Sequence, residues 1–372
     1  MSGITAQQTI SAERTSVTGR ATTAVPRIRE NALVNSYSSL LRRVRSEGLL
    51  ERRRGYYLSH LVGTLTLFSG VWVGFFTLGD SWFQLLTAAG LGLMLTHFAF
   101  WAHEAAHCQI FSTRRANEWA ARTVAGLLVG MSYGYWVNKH SRHHDHPNTI
   151  SVDPDIAKGA LVFHEEAVGE RSRVAAFVLQ RQGYLLFPLL LFLGYTLYFD
   201  SLKYLLSRTR VSHRWLELSG VLLRLGLYAA VVFVFLPPGL GAAFIGVQMA
   251  VFGLYLGSSF APNHKGMPII PAGQRVDFLS RQVLTSRNIS GGRLLALLMG
   301  GLNYQVEHHL FPDMARPQLR RAQTIVQAHC LEHGVPYTET SLLRSYGIVI
   351  RYLNQVGLAA EPFNCPVTDR YR

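Results

Sequence analysis

The sequence predicts an all-α integral membrane protein: four transmembrane helices in two hairpins, beneath a cytosolic helical cap that holds a histidine-rich di-metal site. Three observations carry this expectation. Of the 372 residues 49% are hydrophobic and only 16% are charged, and the apolar residues gather into blocks of membrane-spanning length. The 36 Lys and Arg residues, which bring the net charge to +14, cluster beside those blocks, as positive charge does on the inner side of a membrane. Eight of the fifteen histidines fall in four short stretches: His103-Glu-Ala-Ala-His107, His140-Ser-Arg-His143-His144, His264 in Asn-His-Lys-Gly, and Gln305-Val-Glu-His308-His309.

Residues 1–30 are rich in Ser, Thr and Arg, with Pro26 and no apolar run, so a disordered tail without a secretory signal is expected; the composition also resembles a transit peptide. The main domain is expected over 31–340. Over 33–50 the apolar Leu33, Tyr37, Leu40, Leu41 and Val44 recur at three and four, with Arg42, Arg43 and Arg45 between them. This pattern predicts an amphipathic helix lying on the membrane surface. Spans are expected over 57–78 and 82–101, joined by Gly79-Asp80-Ser81 without a basic residue, so the turn lies outside and His103 emerges on the basic side. Residues 121–137 are apolar but short and interrupted by Gly126, Gly130 and Gly134, which predicts an interfacial helix.

The topology turns on 184–206. If this stretch crossed together with the later blocks 218–236 and 240–260, His264 and His308 would end opposite His103 and His140, so an even number of blocks must cross. The connector Pro237-Pro238-Gly239 carries no basic residue, whereas Lys203, Arg208, Arg210 and Arg214 precede the pair and Lys265, Arg275, Arg281, Arg287 and Arg293 follow it. The last two blocks therefore form the second hairpin, and 184–206, which contains Pro188, is expected at the surface. Residues 294–302 are too short to span. A helix starting at Pro317 and ending near Gly334 puts His329 and His333 on one face, read as solvated in the absence of a third ligand; 341–372 reads as a tail. The odd cysteines Cys108, Cys330 and Cys365 make no disulfide framework or metal motif, and the basic residues lack the interleaved aromatics of a nucleic-acid-binding stripe.

A helix advances about 100° per residue, so spacings of four, or of three plus one, gather the imidazoles of each stretch on one face. His103-Glu104-Ala-Ala-His107 is by itself the HExxH pattern of zinc proteases, although Ile110 and Thr113 stand where the extended form needs Gly and His. A catalytic zinc takes three protein ligands, so a protease leaves most of the other histidines idle. Two metal ions is the simpler reading. Imidazole suits Zn, Cu, Fe and Ni alike, and clusters meeting at a membrane boundary favour chemistry on a lipid chain.

The order His-Glu-Ala-Ala-His, His-Ser-Arg-His-His, Gln-Val-Glu-His-His-Leu-Phe-Pro resembles the three histidine boxes of the membrane fatty-acid desaturases, in particular the branch with front-end acyl-lipid and bacterial linoleoyl-CoA-type enzymes. The resemblance runs from Leu33 to Tyr337 and includes Ala261-Pro-Asn-His-Lys-Gly-Met-Pro268. It implies two non-haem irons held by His103, His107, His140, His143, His144, His264, His308 and His309. Gln305 stands where other branches have a ligand and is expected to coordinate weakly, act through water or orient a neighbour. Glu104, Asp153, Asp155, Asn263 and Glu307 are candidate acceptors that fix imidazole tautomers.

The resemblance further implies O2 as co-substrate, formation of a cis double bond in a long-chain acyl group carried on CoA, carrier protein or lipid, and a location in a bacterial inner membrane with the site facing the cytosol. Two electrons must come from outside. The chain has no His-Pro-Gly-Gly motif of a fused cytochrome, so a separate ferredoxin or flavin reductase is expected. Hydroxylation on the same scaffold, an intramembrane zinc protease and a non-enzymatic haem or metal carrier are the alternatives.

Overall fold

A computed structural model describes residues 30–169 and 172–359; the tail expected over 1–30 lies outside them apart from Glu30. Helix α1 (Glu30–Ser46) buries Leu40 and Val44 in a cluster with Leu279, Val283 and Phe311. Its apolar face, expected on a membrane surface, is thus covered by protein. Periodicity identifies an apolar face but not what covers it.

Helices α2 (Arg54–Leu78) and α3 (Gln84–Ala106) form the first long hairpin. At its turn the Gln84 amide donates to the carbonyls of Phe75 (2.7 Å) and Gly79 (3.0 Å), satisfying the open end of α2. His103 lies in the last turn of α3 and His107 caps it.

Helix α4 (Arg114–Thr123) passes into a π-helical turn, Val124–Val129, which ends at Gly130 with φ +92° before α5 (Tyr133–Asp145) begins. The single helix expected over 121–137 is therefore corrected to three pieces. Left-handed backbone at Gly130 breaks the helix, and the Ser132 hydroxyl restarts it by accepting from Tyr135 N at 3.0 Å. Ser132 also donates to Glu217, which pairs with Arg122 at 2.9 Å, both side chains being buried. This junction orients α5, which carries His140, His143 and His144.

Helices α6 (Arg173–Leu179), α7 (Leu186–Leu190) and α8 (Leu193–Leu206) follow; the stretch 184–206 forms two helices of 5 and 14 residues. The second long hairpin is α9 (Arg214–Phe235) and α10 (Pro238–His264). Among the described residues α2, α3, α9 and α10 are the four helices long and apolar enough to cross a membrane. Leu58, Val62, Leu67 and Val73 on α2 and Leu222, Leu223, Leu227 and Val234 on α9 are exposed, an apolar surface of the kind lipid covers. Helices α3 and α10 share the largest interhelix contact. On α10, Gly253 and Gly257 let the α7–α8 joint approach its backbone: a Cβ at Gly253 would lie 2.5 Å from the Leu190 carbonyl oxygen.

The remaining elements are α11 (Phe278–Leu284), a two-residue strand β1 (Asn288–Ile289), α12 (Arg293–Leu298), α13 (Gln305–Leu310), α14 (Arg316–Glu332), strand β2 (Glu339–Thr340) parallel to β1, and α15 (Leu342–Leu358). The expectation of a tail over 341–372 is corrected by α15 as far as Leu358, and residues 360–372 lie outside the described residues. Pro262, inside α10, has no N–H for the Ser258 carbonyl; Tyr346 of α15 donates to that oxygen at 2.6 Å, and Ser345 donates to the Pro262 carbonyl at 2.7 Å. The buried Arg287, read from sequence as a flanking charge, donates to the carbonyls of Pro262 and Lys265 and closes the end of α10.

Candidate metal centre

All eight histidines singled out in the sequence come together. Nitrogens of His103, His107, His140, His144 and His308 lie within 4.8 Å of one another, and so do those of His143, His264 and His309. The groups adjoin: the His144 ring stacks on His309 with centroids 4.2 Å apart, and His143 and His140 share α5. Five plus three imidazoles suit two ions better than one, since a single transition ion takes about four to six ligands.

Second partners of the rings decide which nitrogen faces inward. His143 Nδ1 donates to Asp153 at 3.0 Å, His264 Nδ1 to the Thr285 carbonyl at 2.9 Å, and His309 Nδ1 to Gln282 Oε1 at 2.9 Å. Each proton on Nδ1 leaves a lone pair on Nε2, the atom directed into the three-histidine group. His143 Nε2 and His264 Nε2 stand 3.3 Å apart. In the five-histidine group, His140 Nε2 lies 3.1 Å from His103 Nε2 and 2.9 Å from His107 Nε2.

Burial pushes His107 down to about 3 and holds His140, His144, His308 and His309 well below the usual imidazole range, with neighbouring imidazoles adding to the effect at the last four. Neutral rings keep their lone pairs. Both ring nitrogens of His144 and the Nε2 atoms of His308 and His309 are buried without a hydrogen-bond partner. Buried polar atoms are ordinarily satisfied, so these orphans fit a coordinated metal.

The other candidates divide. Asp153 is the acceptor it was expected to be, whereas Asp155 lies 3.6 Å from His143 and chiefly pairs with Lys139 at 2.9 Å. Burial alone would raise the Asp155 carboxyl, but Lys139 holds it well below the usual range. Gln305 donates to His264 Nε2 at 2.8 Å, and its Oε1 accepts from Asn263 at 3.1 Å. Asn263 thus orients Gln305 and no imidazole. Glu307 accepts from Asn288 at 2.7 Å and Tyr337 at 2.8 Å, and burial pushes its carboxyl up to about 7. Glu104 pairs with Arg316, whose backbone N–H donates to the Tyr57 hydroxyl at 2.9 Å. A carboxylate held by a buried guanidinium is not placed as the base that an HExxH protease requires.

Sequence reasoning missed Gln282, Thr285, Asn288 and Arg316. All four stand outside the histidine stretches, and nothing in their spacing ties them to the imidazoles. A cavity of about 450 Å³ opens from the centre. His103, His140, His143, His264 and Gln305, with the charged Lys139, Asp155 and Lys265, supply its polar lining, and Leu186, Leu190, Leu193, Leu197, Leu256 and Phe260 line its apolar part. Its volume is that of a small-molecule site, roughly 300–1,000 Å³.

Residues 80–341 match the family model for fatty acid desaturases. A moss protein, the acyl-lipid (9-3)-desaturase of Physcomitrium patens, is 29% identical over 74% of the chain and 54% of its own length, so the chain spans about half of that relative. A Delta(8)-fatty-acid desaturase of Helianthus annuus is 25% identical over 89% of the chain and 75% of its own length. A Delta(6)-fatty-acid desaturase of Caenorhabditis elegans is 26% identical over 88% and 76%. With the histidine boxes gathered in one centre and the family model matching most of its length, the chain belongs to the fatty acid desaturase family.

Proposed function

We propose that the chain is an O2-dependent acyl desaturase that introduces a cis double bond into a long-chain acyl group carried on CoA, carrier protein or a lipid. The observation that carries this reading is the apolar cavity ending on two adjoining histidine groups. Two irons are its metals, held by His103, His107, His140, His144 and His308 on one side and His143, His264 and His309 on the other. Removing hydrogen from an unactivated methylene demands a strong oxidant, which bound iron supplies with O2 and redox-silent zinc does not. Two hydrogens leave the acyl chain, two electrons enter from an external donor, a ferredoxin or flavin reductase, two protons are taken up from solvent, and O2 is reduced to two waters.

The protein's own part is placement. Leu190, Leu193 and Leu256 exclude water and hold the methylenes, while Asp153, Gln282 and Thr285 keep the inward nitrogens free of protons. In this reading the four long helices cross the membrane with both hairpin turns outside and the centre facing the cytosol, which the Lys and Arg residues flanking their other ends support. Fatty-acid profiling of a host expressing the chain tests the reading. A new monounsaturated or further unsaturated acid, absent with His140→Ala, is expected. A hydroxylated acid as the main product would favour the alternative chemistry, and an unchanged profile across a range of supplied acyl chains would remove the assignment.

A further inference from the structure

At the opposite end of α14 from Arg316, its final turn brings together three ligating side chains. His329, Glu332 and His333 stand at i, i+3 and i+4, the spacing that places side chains on one helical face. One ligand atom from each lies within 4.8 Å of the other two. The carboxylate supplies the third ligand that the two histidines lacked in the sequence reading. That reading also took this face as solvated, which the structure corrects at His329, only 4% exposed and covered where α14 packs on α1, while Glu332 is exposed and His333 half-exposed.

The ring partners point the same way. A backbone hydrogen bond at Ser36 meets the His329 ring, while its Nε2 is buried with no partner. The His333 Nδ1–H donates to the His329 carbonyl at 2.9 Å, which leaves the lone pair of His333 on Nε2. The two rings lie 4.1 Å apart between centroids. Two imidazoles and a carboxylate are a known zinc donor set, and tetrahedral coordination separates its donors by about 3.3 Å. The donor atoms already lie within 4.8 Å of one another, and small rotations of Glu332, which is exposed, and His333, which is half-exposed, bring them to coordination distance. The last turn of a helix, where carbonyls point outward, also favours a cation.

We propose that His329, Glu332 and His333 form a second, separate metal site that takes one Zn2+ ion, with water completing the coordination. The site fastens the end of α14 just before Gly334 (φ +65°), from which the chain runs to Tyr337 and its hydrogen bonds with Asn288 and Glu307. Zinc bound here stiffens the segment that braces α13 without touching the eight-histidine centre.

The test titrates Zn2+ into the purified full-length chain against a chromophoric chelator, comparing wild type with His333→Ala and Glu332→Gln. Both substituted side chains reach solvent and leave the core intact. Zinc taken up by the larger histidine centre is common to all three proteins, so the difference isolates this site. Wild type is expected to bind one more equivalent than His333→Ala, with Glu332→Gln weakening that equivalent at least tenfold, and zinc is expected to raise the melting temperature of wild type more than that of His333→Ala. Identical stoichiometry and affinity in all three proteins would overturn the proposal.

Discussion

Asp153 receives the Nδ1 proton of His143 at 3.0 Å, with both side chains buried, so the ring can present only Nε2 to His264. Replacing Asp153 with Asn removes the charged acceptor and leaves the tautomer unfixed. Loss of such a partner typically costs 10–100-fold in metal affinity or activity. Asp153→Asn is therefore expected to lower bound iron and desaturation by about that factor while its level in the membrane stays normal; bound metal and product formation check this.

The histidines form a graded set. His140→Ala, His143→Ala and His309→Ala each delete an inward nitrogen and are expected to abolish desaturation with insertion intact. His333→Ala, on the far end of α14, is expected to leave desaturation within about twofold of wild type, in keeping with the small effect of surface changes. Comparing product yields at matched expression distinguishes the two classes.

Arg316 and Glu104 are both buried and paired. Arg316→Leu leaves a carboxylate without its cation and is expected to cost about 3–5 kcal/mol. Adding Glu104→Leu removes the orphaned charge, so the double variant should recover much of the melting temperature lost in the single one. Thermal unfolding of the solubilised variants measures both. Equal loss in single and double variants would mean the pair contributes packing and not charge compensation.

Tyr346 supplies a hydrogen to the Ser258 carbonyl that Pro262 leaves open. Tyr346→Phe is expected to destabilise the protein by about 0.5–1.5 kcal/mol, the net contribution of one partly buried hydrogen bond. Removal of residues 341–372 is expected to lower the melting temperature further, because it uncovers the end of α10 that carries His264. A truncated chain as stable as wild type would return this segment to the status of a tail.

Much of this was legible in the sequence because it rests on local periodicity and on the length of the apolar blocks. Block length and the distribution of Lys and Arg gave the two hairpins, and the histidine spacing gave every imidazole of the centre. Other features depend on tertiary contacts that no local pattern encodes. The apolar stripe of α1 reads the same whether lipid or α14 covers it. The break at Gly130 was visible as three glycines, but a helix tolerates glycine, and only the left-handed backbone there decides the matter. Residues after 340 were set aside although Val349, Leu353 and Val356, all buried, recur at four and three along α15. The acceptors Gln282 and Thr285 reach the imidazoles only through tertiary folding: Gln282 meets His309 where α11 packs against α13, and Thr285, at the end of α11, meets His264 on α10.

Iron counted in the purified full-length chain tests the central claim most directly. About two iron atoms per chain are expected, falling to about one when His264 and His309 are both replaced by Ala, since the five-histidine group then remains complete. One zinc and no iron in wild type, or an iron count unchanged by removing those two imidazoles, would contradict a di-iron centre built from the two groups.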